Sequence, residues 1–173
     1  MSGIFVIAEL DGAIGERIRA IQQRFDPKLA AELPPHVTLI GSSGAGPIPE
    51  DTAVDRLRKA IEPVAAATAP IALTFQPPMR FLQREIVVLP FDPHGPLRAL
   101  HERLKESGIP CAPARWPFTP HCTLSFYPTL TQESLRQMLA LRERDVWTLR
   151  TLRVYISRDP QPPVLLFDAP LRG

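Results

Sequence analysis

The chain has 173 residues, of which 45% are hydrophobic and 22% charged, which is ordinary for a globular protein able to bury its own core. Its formal net charge of only +2 excludes the strongly basic surface that grips long nucleic acids. Cys111 and Cys122 provide neither a disulfide framework nor a zinc pattern. The first apolar run, residues 4–8, is too short for a signal peptide, and no run is long enough for a membrane span. The sequence therefore predicts a cytoplasmic protein without a membrane partner.

The first half of the chain alternates between predicted strands and helices. Residues 4–10 are rich in branched side chains and predict a strand. An apolar residue at every third or fourth position then predicts a helix that ends near Pro27. Residues 36–40 predict a second strand, which is followed by the glycine-rich loop 41–46. A second helix is predicted to begin near Pro49, with acidic residues in its first turn.

The second half shows the same alternation of strands and helices. One of its helices stops at Gly108, and His101 lies off the apolar stripe of that helix. We therefore expect His101 on the surface, as we do His94, which lies in a turn. The other predicted elements of the chain are strands at 71–75, 86–89 and 121–127, a helix capped by Thr131, and strands around 146–156 and 164–167.

One five-residue pattern, Pro-His-x-Thr-Leu, occurs once in each half, and each copy lies on a predicted strand. Side chains alternate between the two faces of a strand. His36 and Thr38 therefore share one face, and His121 and Thr123 share the corresponding face of the second strand, together with Ser125. If the two halves pack as pseudo-symmetric lobes, these polar faces meet across one cleft.

Two imidazoles and two hydroxyls around one bound group suit the cleavage of a phosphodiester without a metal ion. A neutral histidine takes a proton from the attacking water or hydroxyl, and a protonated histidine gives one to the leaving oxygen. Both roles are open to histidine because its ordinary pKa, about 6.5, lies near neutral pH. The threonine hydroxyls can donate hydrogen bonds to the phosphate oxygens that gain charge.

The paired motifs resemble those of the 2H phosphoesterase superfamily, which includes bacterial 2'-5' RNA ligases and 2',3'-cyclic nucleotide phosphodiesterases. The resemblance implies an α+β fold of two pseudo-symmetric lobes within one domain, residues 1–173. Each lobe would have a small, mainly antiparallel sheet with outer helices, and the active-site cleft would lie between them. It also implies catalytic His36 and His121, with the first as acid and the second as base, phosphate-binding Thr38 and Thr123, and no metal or cofactor.

Several residues near the motifs are further candidates for substrate binding. Arg115 and Trp116 lie in the loop that leads into the second motif, where they could clamp phosphate and stack a base. The other interpretation of that loop is that Trp116 and Phe118 cover the core. Ser125 and Tyr127 follow the second motif on the same predicted strand face. Arg80 and Phe81 form a similar but weaker candidate pair.

The partner implied is an RNA end or nucleotide that carries a 2',3'-cyclic or 2'-5' phosphate, bound by a monomer. Hydrolysis of the cyclic phosphate is the leading function, with 2'-5' RNA ligation as the reverse reaction. After the first motif, residues 40–43 differ from the aromatic residue and glycine of RNA-ligase members, so the resemblance implies the superfamily and leaves the activity open. One alternative is a non-catalytic module that binds RNA ends or nucleotides in the same cleft. Another alternative is a histidine metal hydrolase. The short supply of Asp, Glu or Cys beside the motif strands argues against it.

Overall fold

A computed structural model describes residues 2–81, 84–128 and 130–173. The chain forms five helices and nine strands over these residues. In chain order they are β1 (Gly3–Glu9), α1 (Gly12–Phe25), α2 (Pro27–Glu32), β2 (His36–Ile40), α3 (Val54–Ala66), β3 (Ile71–Leu73), β4 (Met79–Arg80), β5 (Val87–Pro90), α4 (Pro96–Glu106), β6 (His121–Ser125), α5 (Gln132–Leu139), β7 (Trp147–Leu149), β8 (Thr151–Arg158) and β9 (Gln161–Pro170).

Seven of the strands form one sheet in the order β4-β5-β6-β2-β1-β8-β9, in which every neighbouring pair is antiparallel. The other two, β3 and β7, pair antiparallel in a small second sheet. The predicted α+β class with mainly antiparallel pairing is confirmed. The two halves of the chain share the large sheet because their inner strands, β2 and β6, pair with each other.

The two halves repeat the same arrangement around their motif strands. In the first half β1 pairs with β2, and Glu9 is the partner of His36 across the two strands. In the second half β5 pairs with β6, and Pro90 is the partner of His121. Each histidine therefore begins its strand beside the last residue of the preceding paired strand.

Helices cover one face of the sheet, and each motif strand is covered by the helix of the other half. The helix α1, which connects β1 to β2, packs on β6, whereas α4, which connects β5 to β6, packs on β2. Ile18 of α1 and Leu104 of α4 are fully buried. So are the inward-facing residues of the motif strands, which are Val37, Leu39, Cys122 and Leu124. Because the apolar faces of both strands lie in this core, their polar faces are on the other side of the sheet.

The second long helix begins later than the acidic residues predict. The structure starts α3 at Val54 and not near Pro49. Backbone hydrogen bonds of 2.8 and 3.0 Å join Ile48 to Ile4, which keeps Ile48 extended, and the N–H of Thr52 closes a turn on the carbonyl of Pro49 at 3.1 Å. The chain must complete this turn before it can enter the helix.

The last predicted strands also differ from those observed. The segment predicted as one strand around 146–156 divides between the two sheets, with Arg150 at the break. The strand that carries the second motif ends at Ser125 and does not reach Tyr127. The carboxylate of Asp26 explains this end, because it accepts hydrogen bonds from the N–H groups of Phe126 and Tyr127 at 2.7 and 2.9 Å.

The prediction that His101 lies on the surface is wrong. His101 is fully buried between α4 and β2, and its Nδ1 lies 2.7 Å from the carbonyl oxygen of Leu39. Its ring stacks on Phe118, with centroids 4.0 Å apart and planes within 5°. Because α4 lies on the motif strand of the other half, a position off its apolar stripe still meets a neighbour. His94 is exposed, as predicted.

None of the helices formed by residues 2–81, 84–128 and 130–173 combines the length and the apolar character needed to cross a bilayer.

Candidate active site

The centre of the site is the pairing of the two motif strands. Val37 of β2 lies directly opposite Cys122 of β6 in an antiparallel register. Both side chains are fully buried on the helix-covered face. The residues on either side of Val37 and Cys122 therefore point to the opposite face, because side chains alternate along each strand.

On that opposite face the structure brings together the four residues predicted to do the chemistry. Continuing the antiparallel register from Val37 places His36 across from Thr123, and Thr38 across from His121. All four side chains are partly buried and partly open to solvent. The result is a diagonal arrangement in which each imidazole has the hydroxyl of the other motif as its cross-strand neighbour.

Both imidazole rings are held by the backbone in the same way. Nδ1 of His36 lies 2.8 Å from the carbonyl oxygen of Pro34, and Nδ1 of His121 lies 2.7 Å from that of Thr119. A carbonyl oxygen can only accept, so Nδ1 must carry the hydrogen in both rings. Nε2 is then the nitrogen available for proton transfer: it can accept a proton when the ring is neutral and donate one when the ring is protonated.

The pKa values of the two rings respond to the same burial but to different neighbouring charges. Burial lowers the pKa of both histidines, and the hydrogen bonds to Pro34 and Thr119 oppose that effect. Glu9 acts on His36 and raises its pKa, whereas the nearby His36 ring lowers the pKa of His121. The net pKa of both rings is lowered, but the charge contributions differ in sign, because Glu9 favours protonation of His36 and a charge on His36 disfavours protonation of His121.

A charged cluster beside His36 was not predicted from the sequence. The Tyr155 hydroxyl donates to Oε1 of Glu9 at 2.6 Å, and the Arg153 guanidinium pairs with Oε2 of the same carboxylate. Nε of Arg153 also lies 3.4 Å from Asp168. The partners of Glu9 come from the far end of the chain, so a local pattern could not predict this cluster. The only local indication of it is that Glu9 ends an otherwise apolar strand.

An aromatic side chain lies against the other histidine. The ring of Phe81 meets that of His121 edge to face, with centroids 5.1 Å apart and an interplanar angle of 84°. The neighbouring Arg80 donates from Nε to the carbonyl of Arg84 at 2.9 Å. Of this candidate pair, Phe81 is the member that touches the site.

The loop before the second motif was expected either to contact substrate or to cover the core, and its residues differ in this respect. Phe118 is buried against His101, so it belongs to the core. Trp116 is 60% exposed, and the Arg115 guanidinium lies 5.8 Å from its ring. The carbonyl of Trp116 accepts a hydrogen bond from the N–H of Gly44 at 2.8 Å. Substrate contact by Arg115 and Trp116 therefore stays a prediction, with both side chains at least partly exposed to make it.

The two candidates at the end of β6 lie in different surroundings from each other. Ser125 is fully buried, and its hydroxyl has no hydrogen-bond partner among the residues that the structure describes. Tyr127 lies beyond the strand, where its hydroxyl donates to Glu32 and Lys28 Nζ lies 3.9 Å from its ring centroid. The hydrogen bond to Glu32 raises the pKa of Tyr127 to about 12. A role for Ser125 and Tyr127 in substrate binding stays a prediction.

Ser43 is a residue near the site that sequence reasoning missed. The N–H of Thr119 donates to the Ser43 hydroxyl at 3.1 Å, and the Thr119 carbonyl is the group that orients His121. The glycine-rich loop that carries Ser43 thus helps to hold Thr119, and through it the ring of His121. Its composition indicated only a flexible connection.

No group of three or more His, Cys, Asp or Glu side chains that could hold a metal ion occurs within the described ranges. Two H-x-T strands, paired at the centre of a pseudo-symmetric antiparallel sheet, define the fold and motif arrangement of a 2H phosphoesterase.

Comparison with known proteins agrees with this class. Residues 10–161 match the family profile of the 2'-5' RNA ligase superfamily, and the chain belongs to that family. A search of curated proteins finds no match.

Solved structures show the same fold along the whole chain. The crystal structure of TT0787 from Thermus thermophilus superposes with a TM-score of 0.70 at 20% identity, covering 100% of this chain and 99% of that one. E. coli LigT complexed with 3'-AMP gives 0.63 at 17% identity, and LigT complexed with NADP+ gives 0.64 at 19%; both comparisons cover 99% of this chain and 98% of the other.

Proposed function

We propose that the protein is a metal-independent phosphoesterase that hydrolyses a 2',3'-cyclic phosphate on an RNA end or nucleotide. The observation that carries the proposal is the Val37–Cys122 register, which brings two imidazoles and two threonine hydroxyls to one face of the sheet. Membership of the 2'-5' RNA ligase superfamily supports the phosphoester class. The similar LigT structures with 3'-AMP and with phosphate support a nucleotide as the ligand.

The chemistry follows from the Nε2 atoms. Neutral His121 takes a proton from water through Nε2 as the water oxygen attacks phosphorus. The bond from phosphorus to the 2' or 3' ribose oxygen breaks, and Nε2–H of His36 gives its proton to that oxygen. His121 ends protonated and His36 neutral, and exchange of protons with solvent restores the starting state. With a ribose 5'-hydroxyl in place of water, the same steps join two RNA ends.

The threonines stabilise the charge that develops on phosphate. In the transition state the non-bridging oxygens gain negative charge, and hydroxyl donors fixed on a strand need no reorganisation to meet it. Thr38 lies across from the base His121, and Thr123 lies across from the acid His36. In the proposed complex, each donor would therefore lie near one of the two oxygens that exchange protons.

The test is turnover of a 2',3'-cyclic nucleotide and of an oligoribonucleotide with a 2',3'-cyclic end, both in EDTA. We expect activity in the wild type and a loss of about 10²- to 10⁴-fold in both His36→Ala and His121→Ala. His94→Ala is the matched control, because His94 is exposed and outside the site. Activity that needs an added divalent ion would refute the metal-independent mechanism. Saturable binding without turnover would favour a non-catalytic binding module.

A further inference from the structure

The two halves of the site are alike in backbone and unlike in charge. At the position beside His36 the neighbouring strand carries Glu9, and at the equivalent position beside His121 it carries Pro90. Proline offers no charge and no side-chain hydrogen bond. The pseudo-symmetric pair of histidines is therefore embedded in an asymmetric environment.

Glu9 is held firmly at this position. Its side chain is only 10% exposed, and both carboxylate oxygens are bound, one by the Tyr155 hydroxyl at 2.6 Å and the other by Arg153. Arg153 is itself anchored to Asp168 on β9. A carboxylate fixed in this way keeps its position relative to the histidine in the next strand.

We propose that Glu9 is a positioning residue that favours the protonated form of His36 against the effect of burial, and that the Glu9–Arg153 pair thereby suits the first histidine to the acid role and leaves the base role to the second. The catalytic meaning of this inference rests on the proposed function, but the charge asymmetry does not.

Distance decides which member of the ion pair controls His36. Adjacent strands in a sheet lie about 4.8 Å apart. Glu9 is one strand from His36, whereas Arg153 starts from β8, two strands away. The Coulomb energy falls with distance. The carboxylate therefore starts from a strand nearer to His36 than the guanidinium does, and Glu9 is the member of the pair that acts to raise the pKa of His36.

The other charged groups around His36 do not replace Glu9. Across the motif strands the titratable neighbour is His121, whose charge would oppose protonation of His36. Beyond β1 the charged side chains are Arg153 and Asp168, which pair with each other at 3.4 Å. On α2, Glu32 accepts the hydrogen bond of Tyr127. Among the described residues, Glu9 is the anion that acts on His36.

The test is an NMR titration of the His36 ring in the wild type, Glu9→Gln, Arg153→Gln and Tyr155→Phe, with signals assigned through the His36→Ala and His121→Ala variants. Removing the anion disfavours the protonated ring, so Glu9→Gln moves the His36 midpoint to lower pH. Removing the cation has the opposite sign, so Arg153→Gln moves it to higher pH. Tyr155→Phe removes a contact of the same carboxylate without changing charge, and it leaves the midpoint near that of the wild type.

A merely structural role gives a different pattern. If the cluster only supports the sheet, the three variants move the midpoint in one common direction or leave it unchanged, and either result overturns the proposal. Circular dichroism of each variant checks that the fold is retained.

Kinetics connects the titration to catalysis. The alkaline limb of the profile of kcat/KM against pH reports the loss of the proton from the acid. Its midpoint therefore moves to lower pH in Glu9→Gln and to higher pH in Arg153→Gln. If the midpoint of the alkaline limb is the same in both variants as in the wild type, the assignment of His36 as the acid is overturned. If no substrate is turned over, the proposed function fails, whereas the NMR midpoints still decide whether Glu9 controls His36.

Discussion

The carboxylate of Asp26, which is fully buried, accepts a hydrogen bond of 2.9 Å from the backbone N–H of Tyr127, a residue from the other half of the chain. The same carboxylate accepts from Phe126 at 2.7 Å and caps α2 through the N–H of Leu29 at 3.1 Å. One side chain thus ends the second motif strand and begins the helix that precedes the first.

Asp26→Ala leaves three N–H groups without their acceptor. Hydrogen bonds to a charged group contribute more than neutral ones, so we expect the free energy of unfolding to fall by about 2–5 kcal/mol. Urea denaturation measures this loss. Asp51→Ala is the control, because Asp51 is exposed, and it should change stability by less than about 0.5 kcal/mol. Equal effects in the two variants would contradict the role of Asp26.

Thr38→Val and Thr123→Val keep the shape of the strand and remove a hydroxyl. If each hydroxyl binds a phosphate oxygen in the transition state, kcat falls on the order of 10- to 10³-fold in each variant. Steady-state kinetics on a 2',3'-cyclic nucleotide checks this. Thr151→Val at the start of β8 provides the control outside the motifs. Activity at the control level in both motif variants would remove the threonines from the phosphate site.

Acid should destabilise the fold through His101. Burial lowers the pKa of this ring, so the folded state binds its proton less readily than the unfolded chain does. The stability that neutral His101 contributes is present above the unfolded pKa of about 6.5 and is lost as the pH falls towards the lowered folded value. His101→Phe should therefore weaken the decline of unfolding free energy between pH values of about 7 and about 5. At neutral pH the variant should be less stable by about 1–3 kcal/mol, because the Leu39 carbonyl loses its partner.

His94→Phe separates this effect from a general one. His94 is exposed, so His94→Phe provides the same replacement away from the core. If the unfolding free energy of His101→Phe falls with pH as steeply as that of the wild type, groups other than His101 cause the acid sensitivity.

The exposed Trp116 tests whether the loop before the second motif binds a base. Base stacking on an aromatic ring contributes about 1–3 kcal/mol, so Trp116→Ala should raise KM for an oligoribonucleotide by about 5- to 100-fold. The value of kcat should stay close to that of the wild type. Val146→Ala removes another exposed apolar side chain and is the control. An unchanged KM would leave Trp116 without a role in substrate binding.

The sequence predicted the motif strands better than their surroundings. The strand 36–40 has the predicted bounds, and the histidine and threonine of each motif share a face, because alternation along a strand is a local property. Glu9 and Arg153 are distant in sequence, and their contact depends on the pairing of β1 with β8, which no local pattern encodes. His101 was misplaced for a similar reason, because its neighbour is a strand from the other half.

The packing of α1 on β6 and of α4 on β2 makes the two halves mutually dependent. Either half expressed alone would expose the apolar face of its own motif strand and leave its helix without the strand it covers. Because the two halves could not separate without exposing this core, the spacing between the two imidazoles depends on both halves being folded together. Any difference in substrate size would then be accommodated by the loops around this shared core and not by separation of the two halves.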